Sequence, residues 1–267
     1  MKSKHLIEPA ELDSLSGKIL LIDLCSDQQY AHAHIPGAIH VSPSELVDGR
    51  PPAPGRLPDQ SRLNILFSRI GLTADTTVVV YDDEGGGWAG RMAWTLDVIS
   101  HPNWIYLNGG LQAWAQEGRP LESTPVAPTA STIEVSISKD PIEEVESILE
   151  NLDNPQFAIW DARSRGEYDG TKVVAKRGGH IPGAIHCEWT SLMDPEKGLR
   201  IREDSKERLS NLGLTPDKII ATHCQTHHRS GFTYLVARIL GYPNIRAYHG
   251  SWSEWGNRDD TPVETTI

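Results

Sequence analysis

The stretch His223-Cys224-Gln225-Thr226-His227-His228-Arg229-Ser230-Gly231 joins an apolar run, KIIAT, to a helical pattern, FTYLVARIL. A cysteine in a short loop between a strand and a helix N-terminus is placed for nucleophilic chemistry. Backbone N–H groups and the helix end point into such a loop. Their partial positive charge stabilises a thiolate and can bring a thiol pKa from about 8.5 down to between about 3.5 and 7.5. Each unit lowers the cost of ionisation by about 1.4 kcal/mol. The loop also follows the carboxyl end of a strand, where open α/β sheets place their sites. Arg229 within the loop and Arg163 further upstream offer guanidinium forks suited to tetrahedral oxyanions.

Two plainer accounts of Cys224 compete with this one. Burial as a small hydrophobe is expensive beside His223, His227, His228 and Arg229. A zinc site lacks spacing: adjacent His227 and His228 do not easily reach one metal, and no CxxC pair completes the set. Cys25 and Cys187 adjoin apolar strand residues and read as structural. His32 and His34, two apart, have no further ligand nearby and read as polar loop.

The elements that must position the loop occur twice. HIPGAIH stands at His34 to His40 and again at His180 to His186. Asp23, Ser26 and Tyr30 recur as Asp161, Ser164 and Tyr168, and Gly90, Gly109 and Trp114 recur as Gly231, Gly250 and Trp255. Small drifts in the offset mark loop insertions, the largest being DGTKVVAKRGG after Tyr168. In the first copy KILLIDL, TVVVY and WIYL read as buried strands, with DQSRLNILFSRIG as a helix between them. FAIWD, KIIAT and IRAY take the same places in the second. Alternating strand and helix implies an α/β fold with a mostly parallel central sheet and helices on both faces, once per copy. Asp140-Pro141 reads as N-cap and first position of a helix over IEEVESILEN. LESTPVAPTAST is linker in composition, which divides the chain into domains at 1–122 and 133–267 with a connection at 123–132.

Each copy serves as a control for the other. What both keep is attributed to the fold, including the His-Ile-Pro-Gly-Ala pieces with His180, and Trp114 and Trp255 as core anchors. What one copy lacks is a candidate for chemistry. Aligning Gly90 with Gly231 sets Asp83 opposite Cys224 and Trp88 opposite Arg229, while Cys25 stands opposite Arg163.

The chain has 267 residues, with 25 Lys plus Arg against 36 Asp plus Glu, a net charge of −11 that disfavours nucleic acid and anionic membrane surfaces. No apolar run approaches a membrane span, and Met1 to Leu12 lacks the apolar core of a secretory signal. The expected location is cytoplasmic. Three cysteines argue against a disulfide framework. From Lys218 to Ser253 there is no Asp or Glu, as though the surroundings of Cys224 were kept free of carboxylates for a small anion.

Across essentially the whole chain the sequence resembles the tandem-domain rhodaneses, which are thiosulfate sulfurtransferases with an inactive first copy and an active second. HIPGAIH twice, Asp161-Ala162-Arg163 with Glu167-Tyr168, the Cys224 loop and GSWSEW carry the resemblance. CQTHHR followed by SGFTYL is similar to the Azotobacter-type bacterial subfamily. The resemblance implies that 1–122 is the inactive rhodanese-like domain and 133–267 the catalytic one. It implies that Cys224 carries a persulfide in a pocket between the domains, with Arg163 and Arg229 making that pocket positive. Thiosulfate would give its sulfane sulfur to Cys224 and release sulfite, and cyanide or a thiol would then remove that sulfur. Gln225, Thr226, His227 and His228 complete the expected donor-binding set, with backbone N–H groups of the loop cradling the sulfur. No cofactor or metal is implied. The partners are a small anionic sulfur donor and a thiophilic acceptor, and a monomer is the expected state.

The familiar two-domain enzymes carry a basic residue or a serine two places after the cysteine, where Thr226 stands here, so the donor stays open. Fold-related phosphatases and arsenate reductases use Cys-x5-Arg loops, whereas Cys224 to Arg229 is Cys-x4-Arg and better sized for a single sulfur atom. A sulfur carrier or redox module that accepts sulfur from a partner protein is the non-catalytic alternative.

Overall fold

The computed structural model describes residues 3–266; Met1, Lys2 and Ile267, which end the segments read above, lie outside the described residues. Each copy builds one five-stranded sheet. In the first, β1 (Leu6–Ile7), β2 (Ile19–Asp23), β3 (Ile39–His40), β4 (Thr77–Tyr81) and β5 (Trp104–Leu107) lie in the order β1-β5-β4-β2-β3. In the second, β6 (Ile142–Glu143), β7 (Phe157–Asp161), β8 (Ile185–His186), β11 (Ile219–His223) and β12 (Ile245–Tyr248) repeat it as β6-β12-β11-β7-β8. Every pairing in both sheets is parallel. A hairpin of β9 (Met193–Asp194) and β10 (Arg200–Ile201) is the second copy's addition.

The strands are continuous apolar runs because helices cover both faces. The first domain has α1 (Asp27–His32), α2 (Gln60–Arg69), α3 (Gly87–Val98) and α4 (Gly110–Gln116). The second has α5 (Val145–Glu150), α6 (Arg165–Asp169), α7 (Ser205–Asn211), α8 (Arg229–Ile239) and α9 (Ser251–Trp255). The outer faces pack separately, around Trp114 in one domain and around Trp252 and Trp255 in the other. The inner faces merge into one core that runs from Val80 and Trp94 to Trp160 and Phe232.

At its centre α3 crosses α8 backbone to backbone. A Cβ on Gly90 would lie 2.2 Å from the Gly231 carbonyl oxygen, and one on Gly231 would lie 2.6 Å from that of Gly87. The repeat-related glycines are thus the contact that brings the two domains face to face. Asp97 of α3 then accepts a 2.8 Å hydrogen bond from Tyr234 of α8 and lies 3.0 Å from Arg238.

HIPGAIH acquires a structural explanation. His34 and His180 stack on Tyr30 and Tyr168 with ring centroids 3.9 and 3.8 Å apart. Each tyrosine hydroxyl donates to the motif's alanine carbonyl, Ala38 or Ala184. Gly37 and Gly183 take φ of 81° and 72°, which lets the chain turn into β3 and β8. Trp114 and Trp255 are buried and donate to matching carbonyls, Pro120 and Pro262.

Two local expectations fail. Asp140-Pro141 does not open a helix: Ile142–Glu143 pairs with β12, and the helix starts only at Val145 after Glu144. The Pro141 carbonyl accepts from Ala247 and from the Trp94 indole, so sheet pairing overrides the local cap signal. His32 closes α1 rather than sharing a loop with His34. The linker-like stretch continues as a strap on the first domain: Ser131 donates to the Ser68 carbonyl, Val135 to Asn64 and Ser138 to the Val98 carbonyl.

Candidate active site

β11 ends at His223 and α8 begins at Arg229, so residues 224–228 form the loop between them. Its base is clamped by α9, where Trp252 donates to the Cys224 carbonyl at 3.0 Å and Ser253 to the Gln225 carbonyl at 2.9 Å. These donors come from GSWSEW, which explains why that motif accompanies the loop. His227 sits at φ 54°, a left-handed conformation uncommon outside glycine, and it curls the loop back toward the helix.

Cys224 is 1% exposed. Burial raises its pKa, but the Arg229 guanidinium, the Ser230 hydroxyl and N–H, and His228 outweigh burial and bring it below the ordinary thiol value. The other two thiols go the opposite way: burial and Asp23 push Cys25 far up, and burial raises Cys187. The three cysteines are therefore chemically distinct, and only Cys224 has a built preference for the anion.

The structure brings Cys224, Arg229, His227 and His228 together, with Gln225 and Thr226 on the half-buried side of the loop. Arg229 grips Glu167 through two parallel hydrogen bonds of 2.7 and 2.8 Å. Burial opposes ionisation of Glu167, yet the hydrogen bonds from Arg229 and Ser164 hold its pKa down at about 2. His228 bonds to Glu84 of the first domain, between Trp88 and Trp189, whose rings lie 4.5 and 5.6 Å away. Burial opposes protonation of His228, but the Glu84 carboxylate prevails and its pKa is raised. His227 is buried and held neutral, because burial and then Arg91 drive its pKa well down, and its Nδ1 lies 2.7 Å from the Ser230 hydroxyl. Gln225 donates to the Val174 carbonyl of the inserted segment at 3.3 Å.

Arg163 is placed differently from expectation. It is fully buried, bonded through Nε and Nη2 to Asp161 and through Nη2 to the Gly179 carbonyl, and stacked 4.3 Å over Trp252. Its guanidinium is committed to holding the end of β7 rather than turned toward a donor. Asp161 also lies 3.5 Å from His223, whose pKa burial lowers to about 4.

The carboxylate-free stretch in the sequence is not carboxylate-free in space. Arg229 meets Glu167, His228 meets Glu84, Arg246 meets Glu143 and His249 meets Glu144. Acids from other elements offset much of its charge, so within this stretch the loop dipoles and the residual field of Arg229 remain as the attraction for an anion.

The first domain's equivalent loop, between β4 and α3, is filled by its own side chain. The Asp82 carboxylate accepts from the N–H groups of Glu84, Gly86 and Ala89 at 3.1, 2.7 and 2.9 Å. Ala89 matches Ser230, whose N–H serves Cys224 in the second domain. One loop thus holds its own carboxylate on its N–H groups, and the other has the Ser230 N–H favouring the thiolate of Cys224. Among the described residues no grouping of His, Cys, Asp and Glu suited to a metal ion is present.

Ser230, Glu167, Glu84 and Arg91 were not singled out as site residues from sequence. For Glu84 and Arg91, with Trp88, the signal lies in what only the first copy carries, since they stand opposite Gln225, Phe232 and Arg229. All three turn out to face the Cys224 loop.

Two parallel sheets of one topology, each with an anion-binding loop before its inner helix, define a tandem rhodanese architecture. The sequence profile of the rhodanese-like domain matches residues 8–117 and 144–258, and the chain belongs to that family. Among curated relatives it is 53% identical to the thiosulfate sulfurtransferase of Azotobacter vinelandii and 52% identical to that of Pseudomonas aeruginosa, in each case over 97% of this chain and 96% of the relative. The crystal structure of YnjE superposes with a TM-score of 0.89 at 23% identity, covering 99% of this chain and 69% of that one, which speaks for the fold. Among the described residues no helix is long and apolar enough to cross a membrane.

Proposed function

We propose that this chain is a thiosulfate sulfurtransferase that works through a persulfide on Cys224, with 133–267 as the catalytic domain. The observation that carries the site assignment is the contrast among the thiols: Cys224 alone is drawn toward the anion, in a loop whose counterpart in the first domain already binds a carboxylate. The names of the relatives support the donor class.

In the first step the Cys224 thiolate attacks the outer sulfur of thiosulfate. The S–S bond of the donor breaks, its electron pair leaves with sulfite, and Cys224–S–S⁻ remains. In the second, cyanide or a thiolate attacks the terminal sulfur, and the Cys224 thiolate departs with its electron pair. The Ser230 hydroxyl and N–H, with the dipole of α8, stabilise whichever sulfur bears the charge. Arg229, fixed by Glu167, supplies positive potential without swinging away, and His228 is biased toward its protonated form by Glu84. Gln225 and Thr226 line the approach, His227 shapes the loop, and Arg163 holds the β7 end beneath it.

The first domain acts as a wall and is not a second centre, because Asp82 occupies its cradle and no cysteine stands opposite Cys224. Both walls come from one chain, which makes a monomer sufficient. Three free cysteines and a thiolate mechanism fit a reducing, cytoplasmic setting.

Mass spectrometry after incubation with thiosulfate tests the assignment. Uptake of one sulfur atom that disappears in Cys224→Ser supports it, and sulfur on Cys25 or Cys187 would overturn it. Multiple-turnover thiocyanate formation then separates an enzyme from a sulfur carrier, which would stop after one equivalent.

A further inference from the structure

Arg91 of α3 is fully buried, and it differs from the other arginines at the domain interface. Arg56 pairs with Glu254 and Glu144, Arg229 with Glu167, and Arg238 with Asp97. The Arg91 guanidinium instead donates only to main-chain carbonyls. Nε and Nη2 reach Leu46 at 3.2 and 2.7 Å, Nη1 reaches Gly55 at 2.7 Å, and Nη2 reaches Arg56 at 3.2 Å. Nη1 also lies 3.4 Å from the His227 carbonyl in the catalytic loop, and the group stacks 4.6 Å from the Trp94 ring. Among the described residues no carboxylate accompanies it.

Carbonyl dipoles satisfy the hydrogen bonds of a buried cation but do not cancel its charge, and an unpaired buried charge is costly. Burial accordingly lowers the Arg91 pKa to about 9, and the one group that opposes this is Cys224. The His227 contact adds a geometric reason. A non-glycine residue in the left-handed region costs on the order of 1–3 kcal/mol unless its surroundings enforce it. His227 is enforced by Arg91 at its carbonyl, by Ser230 at Nδ1 and by the Trp94 ring edge 4.6 Å away. Ser230 in turn serves the Cys224 sulfur.

We propose that Arg91, supplied by the domain without the thiol, is a positioning residue for sulfur transfer: it pins the left-handed loop through the His227 carbonyl and sets a buried, carboxylate-free positive charge against the Cys224 loop. This rests on Cys224 being the nucleophile. The other charged and titratable groups around the loop are Arg229 with Glu167, His228 with Glu84, and His223 with Asp161 and Arg163. His249 with Glu144 and Arg56 complete the surroundings on the first-domain side.

The test uses full-length Arg91→Met and Arg91→Lys. Alkylation of Cys224 by iodoacetamide is followed against pH without substrate, with the modified residue located by mass spectrometry, and thiocyanate formation is measured in parallel. Arg91→Met is expected to raise the thiol midpoint by about one unit, which leaves about tenfold less thiolate below it, and to reduce turnover with thiosulfate by at least that factor. Arg91→Lys keeps the charge but loses the planar fork. Its thiol midpoint should stay near that of the parent while turnover falls about tenfold from the loosened loop. A folded Arg91→Met with the parental midpoint and rate overturns the proposal. Should Arg91→Met fail to fold, parental turnover in Arg91→Lys overturns it equally. Cys224→Ser keeps the two failures apart: sulfur uptake that persists there sinks the nucleophile assignment, whereas neutral Arg91 variants beside an inactive Cys224→Ser sink only the role of Arg91.

Discussion

Gly55 is the sharpest probe of how the first domain supports the Cys224 loop. Its φ lies outside the left-handed region, so Gly55→Ala introduces no backbone strain and isolates a steric effect. The added Cβ would stand 2.0 Å from the Thr226 carbonyl oxygen, 2.5 Å from its carbon and 2.9 Å from its Cα. Ordinary contact begins near 3.4 Å, so the loop or the Gly55 segment must retreat by about 1.4 Å. Both neighbours are backbone, with no flexible side chain to absorb the change. Overpacking of this kind costs about 1–3 kcal/mol of stability. A displacement of about 1 Å at a catalytic constellation costs about 100-fold in rate, or about 2.7 kcal/mol in the barrier. The Gly55 carbonyl also receives Arg91 Nη1, so its shift weakens a second support of the loop. Initial rates of thiocyanate formation from thiosulfate and cyanide, with denaturant unfolding of the same samples, read both quantities. We expect kcat/KM to fall about 100-fold under conditions in which the variant is still folded. A variant with parental rate and midpoint would refute the idea that the first domain's backbone fixes the loop, and a rate loss that only follows the unfolded fraction would refute its catalytic relevance.

Four further outcomes follow from the same geometry. Arg229→Ala leaves Glu167 buried without its partner and removes a main support of the thiolate, so stability should drop by about 3–5 kcal/mol and the alkylation midpoint of Cys224 should rise, with unchanged alkylation arguing against the electrostatic role. The Glu167 pKa of about 2 lies below the usual carboxylate value. Its contribution to stability is therefore complete above the unfolded-state pKa and is lost as pH falls through the folded-state pKa. Acid unfolding of the parent and of Glu167→Gln should diverge above that window and converge below it. In Glu84→Gln the His228 midpoint, followed by proton NMR, should fall from its raised position. The pair's contribution is present below the unfolded histidine pKa and fades as pH rises through the folded one, so an unmoved His228 midpoint would contradict the pairing. Asp82→Ala strands three N–H groups of the first domain and should cost about 1–3 kcal/mol or more, and calorimetry showing no loss would remove the cradle interpretation.

Buried parallel strands were the most legible part of the fold. TVVVY, WIYL, FAIWD and IRAY coincide with β4, β5, β7 and β12, because strands covered on both faces read as uninterrupted apolar runs. Asp140-Pro141 misled because an edge pairing with β12 outcompeted a local cap, and pairing partners distant in sequence leave no local mark. Cys224 and Arg229 were legible as differences between copies. Arg163 was also such a difference, but its adjacency to Asp161 turned its side chain inward, a consequence of rotamer and burial that spacing does not encode. Glu84 and Arg91 are not legible as features of the second copy, because the first copy supplies them. Their partners lie 144 and 136 positions away in the chain, across an interface that exists only after both domains fold.

The Asp82-filled loop bears on whether the two halves of the molecule are interchangeable. With one loop plugged by its own carboxylate and its helix turning an arginine toward the other loop, the halves are not interchangeable. A cysteine placed at Asp83 would not by itself create a second centre, since the cradle is taken. Cutting the second half free would deprive it of Glu84, Arg91 and the Gly55 backstop together. The similarity of the two halves thus conceals an asymmetry that is spread over several residues and both domains.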